Sequence, residues 1–230
     1  MRISLDPLGQ RIVVPEEYWQ DLSQTDIKEV CSRSGATFQS NGAYVLGFFN
    51  SSLLIDTSTK QGYLDVGGTW AVLDQPLVVL LGLVYLLNAS QVDLSNDIIG
   101  VEQLKDSHFF QGPHKLKTEF VLKRYGSDPK GLDEAALKLG CEKLDLADMA
   151  YKFMVFPKIP VYCLFWRGDD EFPPNLKVLF DRTIESHLAA DSIWGIVNLI
   201  CDLLTIGQGL DPLIAKSPKN SSSKGSSKIT

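Results

Sequence analysis

The residues best suited to chemistry form one short acidic stretch, Gly168-Asp169-Asp170-Glu171-Phe172-Pro173-Pro174. It directly follows an apolar segment that is typical of a buried β-strand. Three consecutive carboxylates repel one another, so burying them together would raise their pKa values or require a cation. Asp169, Asp170 and Glu171 are therefore candidates to bind a hard cation, with water completing its coordination, or to supply a general base.

The same stretch has a simpler interpretation as a solvated turn. Carboxylates in such turns cap backbone N–H groups or pair with nearby arginines, here Arg167 and Arg182. No metal-ligand motif accompanies the acids, so their pattern favours the turn. Asp181 is the next candidate, because the chain could return it to the acidic stretch as a catalytic group. Aspartate is also a preferred cap at the start of a helix, and the pattern favours that role for Asp181.

Other common site motifs do not occur in the sequence. The histidines, His108, His114 and His187, show neither the HExxH spacing nor another compact ligand arrangement. The four cysteines are scattered, without a CxxC pair or a four-cysteine iron–sulfur run, so buried free thiols are expected. Gly67-Gly68 lacks the lysine of a phosphate-binding loop, and no GxSxG motif indicates a serine nucleophile. We predict no cofactor bound by a recognisable motif of this chain.

The elements that must position the acidic stretch can be predicted from apolar patterns. Residues 161–166 are apolar at both parities, which predicts a strand covered on both faces inside a sheet. Residues 151–156 predict a neighbouring strand. Two apolar runs predict buried helices: 77–87, opened by Asp74 and Pro76, and 193–204, capped by Asp191 and ended by Gly207.

The region 36–65 has a different pattern, with short apolar runs separated by Asn, Gly and Ser. It predicts an antiparallel meander. Asn41-Gly42 predicts a tight type I′ hairpin turn, because both residues tolerate a positive φ. Together these patterns predict an α+β fold: a mainly antiparallel sheet from 36–65 and 151–166, packed by the two apolar helices in a single domain.

Length and composition fit one globular domain. The chain has 230 residues, of which 44% are hydrophobic and 22% charged. We predict an N-terminal extension at 1–15, a single α+β domain at 16–207 and a polar, disordered tail at 208–230. Four lysines follow residue 215 without an acid, so the rest of the chain carries a net charge of −10.

Charge and hydropathy also exclude some classes of function. The net charge is −6 and no basic patch appears, so a nucleic-acid partner is not expected. The first residues include Asp6 and Pro7 where a signal peptide needs an apolar run, and the run 77–87 is too short to span a membrane. We therefore predict a cytoplasmic protein.

Several segments together resemble the domain of unknown function 3786 family. The resemblance covers about residues 16–206, and its most specific part is the acidic stretch with the three residues before it. The segments that carry it are Ser34-Gly35-Ala36, Tyr85-Leu86-Leu87-Asn88, Phe156-Pro157-Lys158-Ile159-Pro160, Phe165-Trp166-Arg167 with the acidic stretch, and Leu179-Phe180-Asp181.

This resemblance implies a prokaryotic, mostly anaerobic, intracellular protein. Some relatives carry a four-cysteine iron–sulfur module of the kind found with corrinoid proteins, and this chain has no such module. The resemblance therefore implies a binding or accessory protein for an iron–sulfur or corrinoid partner. Two alternatives stay open: a carboxylate-dependent or metal-assisted enzyme that uses Asp169, Asp170, Glu171 and Asp181, and a purely structural subunit.

Overall fold

A computed structural model describes residues 12–215 and confirms the predicted α+β class. The helices are α1 (Glu16–Gln24), α2 (Ile27–Ser34), α3 (Pro76–Asn88), α4 (Thr118–Tyr125), α5 (Pro129–Lys138) and α6 (Ala190–Ile206). The strands are β1 (Thr37–Phe38), β2 (Ala43–Phe48), β3 (Ser51–Asp56), β4 (Gln61–Val66), β5 (Thr69–Val72), β6 (Ile98–Gly100), β7 (Glu142–Leu144), β8 (Met149–Phe156), β9 (Ile159–Trp166) and β10 (Asn175–Asp181).

The strands form two antiparallel sheets. The first is the predicted meander, in the order β1-β2-β3-β4-β5, and the second has the order β6-β10-β9-β8-β7. The regions 36–65 and 151–166 therefore lie in separate sheets, whereas the sequence predicted one. Aromatic rings pack where β2 meets β8, and the ring centroids of Phe48 and Phe156 are 5.6 Å apart. These contacts join the two sheets into one core.

Strand β9 is the middle strand of the second sheet and is buried on both faces, as predicted. Val161, Cys163 and Phe165 belong to the main core, while Tyr162 and Leu164 belong to a smaller cluster on the other face. Strand β10 pairs with β9 along its length. The chain between these two strands contains the acidic stretch, so that stretch is a connection between antiparallel neighbours.

Helix α3 lies close against the first sheet because glycine, which has no side chain, occupies two of the contact positions. A Cβ atom on Gly62 of β4 would lie 2.7 Å from Cγ2 of Val79, and one on Gly82 of α3 would lie 2.9 Å from Cδ2 of Leu53. Real Cβ atoms do not approach other atoms so closely, so larger residues would push the helix away from the sheet. Helix α6 packs beside α3, α4 and α5.

Some local details differ from the prediction. Only Gly42 has a positive φ at the first hairpin, so the turn is not of type I′, which needs a positive φ at Asn41 as well. Gln75 precedes α3 as its N-cap and Ala189 precedes α6, so neither Asp74 nor Asp191 is the N-cap. Gly207 ends α6 with a φ of 72°, as predicted.

The ends of the predicted domain can be compared with the structure only in part. Residues 208–215, which the sequence assigned to the tail, continue the body: Leu210 and Leu213 are buried, and the Ala215 N–H donates to the Val72 carbonyl. Residues 1–11 and 216–230, which include most of both predicted extensions, lie outside the described residues. No helix within 12–215 has the length and apolar character needed to cross a bilayer.

Candidate functional site

The acidic stretch forms a solvent-exposed turn between β9 and β10. The carboxylate of Asp169 accepts hydrogen bonds from the backbone N–H groups of Phe172, at 2.7 Å, and Glu171, at 2.9 Å. These two bonds lower the pKa of Asp169. Asp170 and Glu171 are exposed, and none of the three acids has an ion-pair partner within residues 12–215. The side chain of Asp169 thus organises its own turn.

Asp181 lies at the opposite end of β10 and is buried, with 1% of its surface exposed. It caps the 3-10 turn Arg182–Ser186 by accepting from the Thr183 N–H, which confirms the predicted capping interaction. It also accepts from the Thr183 and Ser95 hydroxyls and from the backbone N–H groups of Ser95 and Asn96. Burial raises the pKa of Asp181, but these hydrogen bonds outweigh burial and lower it to about 2.

The predicted site residues therefore do not converge. Asp181 is the last of the seven residues of β10, and the acidic turn precedes the first, a distance of roughly 20 Å for an extended chain. No group of three or more His, Cys, Asp or Glu side chains within residues 12–215 is arranged to hold a metal ion. Arg182 pairs with Asp97 and not with the acidic turn.

The structure instead shows a cavity of about 610 Å³ between α1, α3 and the start of α6. Its volume lies within the roughly 300–1,000 Å³ range of small-molecule sites. The apolar part of its lining comes from α3, from a 3-10 turn and from the chain before α6, and includes Leu77, Leu80, Leu81, Val84, Phe109 and Leu188. The polar and aromatic part includes Tyr18, Asn88, His114, Glu185, His187, Asp191, Ser192 and Trp194.

His187 is the most buried titratable group of this lining, with 1% of its surface exposed. The Ser90 N–H donates to Nδ1 of His187 at 3.1 Å, so the proton of the neutral ring is on Nε2. Burial and the nearby positive charge of Lys158 lower the pKa of His187, which keeps the ring neutral near pH 7. The Nε2–H group is buried and has no acceptor in the described part of the chain.

Trp194 provides a second N–H group of the same kind. Its Nε1 atom is buried without an acceptor among residues 12–215. The ring of His114 lies edge-on to Trp194, with centroids 5.8 Å apart, and stacks on Phe109 at 4.2 Å. Two unpartnered ring N–H groups therefore belong to residues that line one cavity. Tyr18, Phe109 and Trp194 form the aromatic wall of this cavity.

Three of the segments that carried the family resemblance contact one another or the chain next to His187. The Tyr85 hydroxyl donates to the Ser34 carbonyl at 2.8 Å, and its ring stacks on Phe156. Lys158 donates to the Ser90 carbonyl at 3.0 Å, next to the Ser90 N–H that binds His187. The bonds of Ser90 with His187, and of Ser95 and Asn96 with Asp181, hold residues 90–96 against the chain that leads into α6.

Sequence reasoning did not identify His187 or Trp194 as site residues. Trp194 was placed in the buried stripe of a helix, and it does lie in α6. His187 had one local indication: it is the histidine next to the apolar run that starts at Leu188. The contacts that make it notable come from Ser90, which is 97 residues away, so spacing along the chain could not reveal them.

Comparison with known proteins gives one match. The family model described as "Domain of unknown function (DUF3786)" matches residues 26–203. This range includes β10, His187, Trp194 and all but Tyr18 of the cavity lining. Neither the curated proteins nor the solved structures contain a match.

Proposed function

We propose that this chain, which belongs to the DUF3786 family, is a binding module that holds a small molecule in the cavity between α1, α3 and α6. The observation that carries the proposal is the pair of buried N–H groups of His187 and Trp194, which have no acceptor among residues 12–215 and belong to residues that line one cavity. Buried polar groups in native proteins are nearly always hydrogen-bonded, so an unpartnered one calls for an explanation, and a functional role is one such explanation.

The energetics support a ligand that satisfies these donors. Leaving a buried N–H without an acceptor costs about 1–3 kcal/mol. A ligand acceptor that reached either ring nitrogen after a small rotation of the ring would recover part of this cost. The rest of the binding energy would come from burial of apolar surface against Leu77, Leu81 and Val84, all of which are buried on α3.

The partner implied by the family resemblance belongs to the same proposal. The module would act beside an iron–sulfur or corrinoid protein in the cytoplasm of an anaerobic prokaryote. The net charge of −6 argues against nucleic acid as the partner. A pull-down from an anaerobic lysate that returned no iron–sulfur or corrinoid protein would count against this partner. It would not affect the proposal that the cavity binds a small molecule.

The alternative, a carboxylate-dependent enzyme at the acidic turn, has less support. Asp169, Asp170 and Glu171 are exposed and do not line the 610 Å³ cavity, and Asp181 uses its oxygens to hold the chain. A general base needs a site that excludes water and orients a substrate near it. The solvated turn offers neither.

A blocking variant tests the binding proposal. A library of small amphipathic compounds is screened by thermal shift and by protein-observed NMR. Compounds that bind should raise the Tm, because a ligand stabilises the state that binds it. Leu80→Trp places a bulky ring at the half-buried cavity wall, and we expect it to abolish binding of every hit.

The matched control is Leu87→Trp, since Leu87 is also half-buried on α3 but does not line the cavity. It should leave binding intact. Hits that bind Leu80→Trp as well as they bind Leu87→Trp would show that they occupy another site. A screen without any hit on the wild type would overturn the proposal.

A further inference from the structure

The charges of the cavity lining restrict what it can bind. Among residues 12–215, Glu185 and Asp191 are the acidic residues of the lining, and this part of the chain contributes neither lysine nor arginine to it. The Lys105 backbone N–H donates to Glu185 at 2.8 Å, and the Ser192 N–H donates to Asp191 at 2.6 Å. Neither carboxylate forms an ion pair with a residue of the described chain, 12–215. The cavity therefore carries two carboxylates that only neutral donors compensate.

Neither His187 nor the nearby Lys158 supplies a positive charge to the lining. His187 is buried and neutral near pH 7 because its pKa is lowered. Lys158, whose charge acts on His187, is directed to the Ser90 carbonyl and lies 3.6 Å from the carboxylate of Asp93. An anionic ligand would meet two negative charges without a cation, so anions are disfavoured.

The aromatic wall favours the opposite charge. Tyr18, Phe109 and Trp194 line the cavity, and His114 connects Phe109 to Trp194 through the two ring contacts described above. Aromatic faces attract ammonium groups, and carboxylates nearby strengthen the attraction. The buried leucines and Val84 provide room for an apolar body beside the charged group.

We propose that the ligand of this cavity is a small organic ammonium ion with an aromatic or branched apolar body that carries a hydrogen-bond acceptor oxygen. The oxygen accepts from the N–H group of His187 or Trp194, and the ammonium group supplies the charge preference tested below. This inference rests on the proposed binding function and specifies its ligand class. The ammonium group lies toward Glu185 and Asp191, and the apolar body packs against α3 and the aromatic wall.

Three probes of similar size test the charge preference. Benzylammonium, benzyl alcohol and benzoate share one ring and differ in charge, and their affinities are measured by calorimetry or NMR titration at low ionic strength. We expect benzylammonium to bind at least about tenfold more tightly than benzyl alcohol. Benzoate should show no binding at about 10 mM, the weak range typical of such fragments. Added salt should reduce the preference for the cation, because salt screens exposed charges: Glu185 is half-buried and Asp191 is exposed.

A double variant identifies the charges responsible. Glu185→Gln with Asp191→Asn should reduce the preference for benzylammonium over benzyl alcohol to within about twofold. Asp170→Asn with Glu171→Gln is the matched control, since it removes two negative charges at an exposed turn outside the cavity lining. This control should retain the full preference.

The outcomes separate the ligand class from the binding function. Equal affinities for benzylammonium and benzyl alcohol, both lost in Leu80→Trp, would overturn the ammonium proposal and leave the binding function in place. A preference that is lost equally in both double variants would mean that overall charge causes it, which also overturns the proposal. Failure of all three probes, together with library hits that are blocked by Leu80→Trp but carry no ammonium group, would overturn the ligand class alone.

Discussion

The two ends of strand β10 hold carboxylates in opposite ways. Before the strand, Asp169, Asp170 and Glu171 are exposed to water. Within the described range 12–215, Asp169 alone of the three accepts hydrogen bonds, and both come from its own turn. After the strand, a single buried carboxylate, that of Asp181, accepts five hydrogen bonds from Ser95, Asn96 and Thr183. The number of acidic residues in a segment is therefore a poor guide to how much they stabilise the fold. The number of buried donors that bind each carboxylate is a better guide.

The difference follows from solvation. An exposed carboxylate keeps its water, so few protein contacts are needed and few are made. A buried carboxylate loses its water and stays ionised only if protein donors replace it. At Asp181 three of the five donors come from Ser95 and Asn96, 86 and 85 residues earlier, so this side chain connects two distant parts of the chain. The end of β10 that contains Asp181 is thus the end connected to the cavity, through the 3-10 turn that leads to His187.

Removing Asp181 should have the largest effect on stability. Asp181→Ala leaves three backbone N–H groups and two hydroxyls without their acceptor, and we expect it to lower the free energy of unfolding by about 3–5 kcal/mol. Urea denaturation measures this loss. Asp181→Asn keeps one acceptor oxygen and should destabilise less. If Asp181→Ala lowered the free energy of unfolding by less than about 1 kcal/mol, Asp181 would be no more important for stability than the exposed acids at the other end of β10.

The neighbouring His187 should give the protein a pH dependence of moderate size. Because its pKa is lowered in the folded state, the unfolded chain binds the proton more readily. The stabilisation is therefore complete above the unfolded pKa of about 6.5 and is lost as the pH falls toward the lowered pKa of the folded state. The slope should not exceed about 1.4 kcal/mol per pH unit.

Denaturation of wild type and His187→Asn between pH 7 and 5 measures this contribution. Asparagine can accept from the Ser90 N–H but does not titrate, so the variant should show a flatter profile. His108→Asn is the control, since His108 is exposed, and it should keep the wild-type slope. The same slope in all three proteins would show that His187 is not the responsible group.

The elements that the sequence predicted correctly are those whose residue pattern lies within the element itself. Strand β9 was predicted because both of its parities are apolar, and α3 and α6 because each contains a long apolar run. Strand β10 was not predicted, although Leu176, Val178 and Phe180 alternate along it and are buried. The sequence pattern instead favoured Asp181 as the cap of a helix. Pairing with β9 shows that the residues before Asp181 form a strand.

The cavity could not have been predicted in the same way. Its lining joins Tyr18, helix α3, Phe109, His114 and residues 185–194, which are close only after the chain folds. The capping role of Asp181 was predictable from residue type, but its contacts with Ser95 and Asn96 were not, because they depend on tertiary packing. Local patterns therefore indicate which groups are polar and where strands end, while long-range contacts decide which polar groups become buried.

The smallest effects are expected at the acidic turn, where they separate Asp169 from its neighbours. Asp169→Ala removes the acceptor of two backbone N–H groups and should lower the Tm by about 2–4 °C. Because the pKa of Asp169 is lowered in the folded state, this contribution is present above the unfolded pKa of about 3.9 and disappears as the pH falls below it. Asp170→Asn with Glu171→Gln should leave the Tm unchanged, since both side chains lie in water. If that double variant instead altered the Tm as much as Asp169→Ala does, the turn would hold interactions beyond those of Asp169, and the contrast between the two ends of β10 would weaken.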